Sequence, residues 1–234
     1  MIIRSSGSSQ LFITQPDHAE LAATIMGAWR GDGLETHRRR QVILRAIRDH
    51  DCGWIEEDAA TIVDREGRPL DFMSAPIEVK HRIWPRAVAT VEPRDRYEAA
   101  LIAQHALTVH AQHRADAVWR PFFDALEAAR TRMLGGPADD DFERDYRFVR
   151  IGDLLSLVFC NGWPEPHELP GGGRTILKDA TLEVAPDPFG GAHVPLRVAA
   201  RRVPSRAYAS ATELRAVVES APVETVEGWA VGTR

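Results

Sequence analysis

Arg48-Asp49-His50-Asp51-Cys52-Gly53-Trp54 is the stretch on which the reading of this chain turns. A His-Asp pair at the end of a helix lets two adjacent side chains reach one ion. The glycine that follows frees the backbone to turn away at once. A lone His-Asp dipeptide arises often by chance, so its weight depends on the rest of the chain. Residues 35–51 read as a helix with Val42, Ile43, Ala46 and Ile47 on one face. His50 lies three and four residues beyond Ile47 and Ala46, on that same face.

Upstream, residues 2–14 alternate loosely around Gly7-Ser8-Ser9 and predict a short hairpin, Ile2–Arg4 against Leu11–Ile13. Thr14 and Asp17 have the spacing of a capping box for a helix running to about Trp29. Downstream, residues 55–75 read as loop. Helical periodicity returns over 76–91, 96–113, 115–134 and 143–160. Composition shifts at Gly162-Trp163-Pro164. Beyond it, β-rich runs at Thr181–Val184, Val194–Arg202 and Thr225–Val231 flank a helix at Ser210–Ser220. The expected organisation is a helical metal-binding domain over 1–162 and a small β-containing appendage over 163–234, packed on it.

Several of these helices carry one ionisable residue on the apolar face. His18 shares a stripe with Leu21, Ala22, Ile25 and Trp29. His81 sits between Ile77 and Trp84, His105 between Leu101 and Val109, and Asp153 between Val149 and Leu157. A carboxylate buried without a partner costs several kcal/mol, so Asp153 calls for a counter-charge. A metal ion would supply it, and imidazoles with carboxylates suit Zn, Fe or Mn. The bland alternative is a set of hydrogen-bonded core histidines, with Asp153 paired to an arginine such as Arg150. One His or Asp per helix, in this order, favours the metal. His110 and His113 lie off the His105 stripe, by about 140° and 80° on a 3.6-residue wheel.

Lys+Arg 29 against Asp+Glu 34 leaves a net charge of −5, which argues against sequence-independent nucleic-acid binding. Two distant cysteines, Cys52 and Cys160, fit neither a disulfide framework nor a metal spacing, and they suit a reducing cytoplasm. No segment approaches the roughly 20 apolar residues of a membrane span. Gly171-Gly172-Gly173-Arg174 lacks the lysine and hydroxyl residue of a phosphate loop and reads as a turn.

The order His18, His50-Asp51, Asp153 resembles the HD superfamily of metal-dependent phosphohydrolases and related oxygenases. There, a histidine precedes the His-Asp pair by one helix and a lone aspartate follows on a late helix. The resemblance implies a mainly α fold, an HD-type helical bundle with a short N-terminal β-hairpin and a small C-terminal α+β appendage. It implies one or two divalent ions (Fe, Mn or Zn). His18, His50, Asp51 and Asp153 would hold the first, and His81 and His105 would hold a second that Asp51 bridges. A phosphoester hydrolase with metal-activated water is the leading expectation. A dinuclear iron oxygenase on the same residues is the second, and a non-catalytic ligand-binding or interaction protein the third. Trp54 departs from the pattern, standing where many HD hydrolases carry a lysine or histidine. Asp49 and Glu57 are the expected catalytic or orienting carboxylates by proximity. Arg48, Trp54 and Lys80 are the expected contacts to a small anionic substrate, and a homodimer is a further option. Ile13-Thr14-Gln15-Pro16-Asp17-His18, the His50–Trp54 stretch and Asp153-Leu154-Leu155-Ser156-Leu157 also resemble an uncharacterised bacterial family, domain of unknown function 3891.

Overall fold

A computed structural model describes residues 1–234. Chain order gives β1 (Ile2–Ser6), β2 (Ser9–Ile13), α1 (Gln15–Gly27), α2 (Arg40–Asp49), α3 (Ile55–Ala60), α4 (Ile77–Val91) and α5 (Arg96–Val109). It continues with α6 (Arg120–Leu134), α7 (Asp140–Asn161), β3 (His167–Glu168), β4 (Arg174–Lys178), β5 (Thr181–Ala185), β6 (His193–Pro204), α8 (Ala211–Ser220) and β7 (Val223–Gly232).

The expected mainly α bundle is corrected here. All seven strands join one curled mixed sheet in the order β1-β2-β6-β7-β5-β4-β3, so the fold is α/β. The N-terminal hairpin is not an ornament. β2 runs antiparallel to β6, with Ser9 opposite Pro204 and Phe12 opposite Arg201. β7 lies antiparallel to β6 and parallel to β5. Sequence alternation explains which face is covered: Val194, Leu196, Val198 and Ala200 of β6 are buried in the main core, and the residues between them are exposed or half-buried, while Val203 joins a second, small cluster with Phe12, Leu214 and Val218. Helices α1 and α7 lie on the sheet, α1 against β6 and α7 against β1 and β4. One core runs from Leu21, Ile25 and Ile47 through Val149 and Leu155 to Leu182, Val184 and Leu196.

Element boundaries follow local chemistry. Thr14 caps α1 by accepting from the Asp17 amide at 3.1 Å. The helix expected from residue 35 starts only at Arg40, because Gly31–Thr36 forms a tighter 3₁₀ segment with Asp32 and Gly33 in left-handed backbone. Part of the expected 55–75 loop is helical, as α3.

Two glycines bring the site's elements together by close approach. A Cβ on Gly53 would stand 2.0 Å from the Ile83 carbonyl oxygen, so the turn after the His-Asp pair lies directly on α4. Gly53 therefore serves contact rather than a reversed backbone. A Cβ on Gly152 would meet Met26 Cγ at 2.9 Å and Ile47 Cγ2 at 3.0 Å. Its absence lets α7 close onto α1 and α2, one residue before Asp153.

Candidate metal centre

Four helices deliver the donors. His18 comes from the first turn of α1, His50 from the C-cap of α2, His105 from α5 and Asp153 from α7; Asp51 follows His50. His18 and His50 are fully buried, and Asp153 keeps 16% of its side chain exposed, so solvent reaches the cluster from that side. His18 Nε2 is 2.9 Å from Asp51 Oδ2 and 3.9 Å from Asp153 Oδ1. His50 Nε2 is 3.3 Å from Asp153 Oδ1 and 3.5 Å from Asp51 Oδ2, and His105 Nε2 is 3.6 Å from Asp153 Oδ2. Donors held about 2.1 Å from a common ion stand roughly 3.0–4.2 Å apart. Four of the five observed separations fall in that band, and the fifth, between His18 and Asp51, lies 0.1 Å below it. The donor atoms of His18, His50 and Asp51 lie within 4.8 Å of one another, as do those of His50, His105 and Asp153. The two sets share His50.

The far side of each ring fixes its orientation. His50 Nδ1 donates to the Ile47 carbonyl at 2.6 Å. His18 Nδ1 is 2.9 Å from Ser156 Oγ, whose own hydroxyl donates to the Asp153 carbonyl. The serine is thereby left to accept, so the proton sits on His18 Nδ1. His105 Nδ1 pairs with the Tyr146 hydroxyl at 3.3 Å. Each Nδ1 is occupied and each Nε2 faces the carboxylates, the arrangement that orients metal-ligating histidines. His50 Nε2 is buried with no hydrogen-bond partner of its own.

Electrostatics follow the packing. Burial alone would lower the His50 pKa, but the Asp51 and Asp153 carboxylates outweigh it and push it up to about 9. Burial works the other way on Asp153 and Asp51, and the surrounding imidazoles override it, holding both carboxyls below the usual range. His105, dominated by burial, drops to about 4. Three imidazole Nε2 atoms and two carboxylates fit a divalent ion, which would take the place of the proton that the carboxylates hold on His50. Buried His/Asp groups of this kind can hold a metal.

The other expected site residues divide. Trp54 and Lys80 line a cavity of about 230 Å³ together with Asp51, His105 and Asp153. His81 is in neither donor set. Its ring packs against Trp119, centroids 4.7 Å apart, and stacks on Phe122. The buried face of α4 is carried by Ile83, Trp84, Ala87 and Val91, which leaves His81 at its margin. Trp84, one turn on, faces His105 instead. Arg48 and Asp49 pair with each other at the surface, and Asp49 also accepts from Arg94. Glu57 is held by Arg82 at 2.8 Å on both oxygens, and by Arg86. None of these four residues lines the cavity. Sequence reasoning gave no role to Ser156, Tyr146 and Gln15, and it set His110 aside as lying off the His105 stripe, although Gln15 and His110 line the cavity. Ser156 lies three residues after Asp153 and Tyr146 seven before it, on the same helix face, so their spacing was a usable signal.

A curled mixed sheet carrying a helical layer with a buried three-histidine, two-carboxylate cluster defines an α/β protein with a candidate metal centre. The chain belongs to the family described as Protein of unknown function (DUF3891), whose model matches residues 1–205 and therefore every donor residue. No curated protein and no solved structure matches the chain, and nothing in these comparisons links it to the HD superfamily. No helix is long and apolar enough to cross a membrane.

Proposed function

We propose that this protein is a metal-dependent hydrolase of a small anionic substrate, a phosphoester fitting best. The observation that carries the proposal is the convergence of three oriented Nε2 atoms and two carboxylates at the wall of a cavity that also holds Lys80. His18, His50, Asp51, His105 and Asp153 would hold one ion, with Fe, Mn and Zn all suited to the donors. A divalent ion there would acidify its water and polarise a phosphoryl oxygen. The chain's own residues supply the rest. Ser156, Ile47 and Tyr146 keep the rings turned inward, and the partly exposed Asp153 carboxylate marks the side from which solvent and substrate reach the ion. Lys80 offers an ammonium to the substrate's negative charge, and Trp54 and Trp84 form apolar walls that exclude water. The order of donors along the chain is the part of the HD likeness that this reading keeps. The oxygenase alternative needs a second ion at His81, and the place of His81 beside Trp119 lends it no support.

Elemental analysis of purified protein, followed by phosphomonoester and phosphodiester assays before and after chelation, tests the proposal. We expect about one metal equivalent per chain, lost in His50→Ala. Hydrolysis should vanish on chelation and return with the metal. Metal-free protein whose content is the same in His50→Ala, or a loaded protein inert across the panel, would end it.

A further inference from the structure

Two of the metal donors, His105 and Asp153, are walls of two neighbouring cavities. The first is the 230 Å³ cavity lined by Gln15, Trp54, Lys80 and His110. The second, of about 450 Å³, is lined by Thr108, Tyr146, Arg150, Glu168 and Leu169. His105, Val109 and Asp153 are walls of both. The first alone is small for a ligand pocket, whereas the two adjoining spaces reach the ordinary range of several hundred Å³.

Charge is distributed in the same two-part way. An ion bound by Asp51 and Asp153 would have its two positive charges offset by those carboxylates, leaving the side chains around it to set the sign of the substrate. This protein pairs most arginines near the site: Arg82 with Glu57, Arg94 with Asp49, Arg45 with Glu98. Two cations on the cavity walls are left without an ion pair. The Lys80 ammonium makes its hydrogen bond to the Met73 carbonyl, at 2.8 Å. The Arg150 guanidinium has neither a hydrogen bond nor an ion pair, although Glu168 shares its cavity. A free guanidinium is a fork suited to a carboxylate or phosphate.

Resting on the hydrolase reading above, we propose that the substrate carries two anionic groups. The reacting phosphoester lies at the metal centre beside Lys80, and a second acidic group, phosphate or carboxylate, extends into the neighbouring cavity and is held by Arg150. The ligand is thus a short, two-headed acid rather than a simple alkyl phosphate.

Calorimetric titration of the metal-loaded protein with three non-hydrolysable probes tests this. Methylphosphonate has one head, propane-1,3-diphosphonate two phosphonates, and 4-phosphonobutyrate one phosphonate and one carboxylate. At least one two-headed probe should bind about tenfold or more tighter than methylphosphonate, a difference of about 1.4 kcal/mol. The tighter of the two identifies the second group. Arg150→Gln, a change at an exposed position, should bring that probe back to the methylphosphonate level. If methylphosphonate binds and neither two-headed probe binds tighter, or if Arg150→Gln keeps the advantage, the second-anion proposal is overturned and the hydrolase reading survives. If no probe binds the loaded protein, both fall.

Discussion

His18, His50 and His105 crowd around two carboxylates between α1, α2, α5 and α7, whereas His81, His110 and His113 surround the indole of Trp119. In the second group each imidazole centroid lies 4.7 Å from the Trp119 ring. Three imidazoles gather in both places, but the surroundings differ. His110 Nε2 accepts from Trp84 Nε1 at 2.9 Å, His81 Nε2 has no partner, and the nearest carboxylate contact is from Asp116 to the outlying His113. The carboxylates push His50 up to about 9, whereas burial pulls His110 down to about 3 and, within the first group, His105 down to about 4. Imidazoles become a cation site when carboxylates share the pocket and each Nδ1 is tied back. Without those two conditions the same rings pack as aromatics around Trp119.

The largest way to sharpen this contrast is to untie one ring. Ser156→Ala removes the acceptor of His18 Nδ1–H while leaving every donor atom in the chain. Loss of such an orienting partner typically costs about 10–100-fold in metal affinity. Competition with a chromophoric chelator reads it. Unchanged affinity would mean that the tie from Ser156 does not prepare His18 for a metal.

A smaller effect probes the other cluster through acid stability. His110 is pushed down mainly by burial and then by the Lys80 ammonium. Between its ordinary value of 6.5 and about 3, the unfolded chain binds a proton that the folded chain does not. The stability contributed by neutral His110 is complete above pH 6.5 and drains away as pH falls toward 3. Wild type should lose on the order of 2 kcal/mol through this group between pH 7 and pH 5. His110→Gln removes the titration, so urea unfolding at the two pH values should show a smaller acid loss in the variant. Equal losses would place His110 in a wetter, more carboxylate-like setting, and the contrast between the clusters would weaken.

Much of the His/Asp cluster could be read from the chain because helical spacing reports burial. His18, His50, His105 and Asp153 each fall on an apolar stripe, and each reaches the cluster. His81 satisfied the same test and ended elsewhere. A stripe fixes only which way a side chain leaves its helix, and the neighbours His81 meets, Trp119 and Phe122, lie about 40 residues further along the chain. The sheet was harder to read. The alternation of β6 marked a half-buried strand, but its partner β2 lies about 190 residues earlier in the chain, and nothing local encodes that pairing. Strand β4, Arg174–Lys178, follows a triple glycine that suggested only a turn. The step from mainly α to α/β rests on those long-range pairings.

The smallest expected effect bears most directly on the place of His81 outside the donor sets. Its Nε2 is buried without a partner while the ring stacks on Phe122 at an interplanar angle of 17°. An unsatisfied polar atom in such a place contributes nothing that a carbon would not, and replacing it with an apolar group of similar shape is neutral or stabilising. His81→Phe keeps a flat ring against Phe122 and Trp119 and removes the orphaned nitrogen. We expect unfolding stability to rise slightly, by less than about 1 kcal/mol, with metal content the same as wild type. A fall in metal content in this variant would break the comparison at its base. It would show that His81 reaches the centre in solution and that the two groups of imidazoles act as one site.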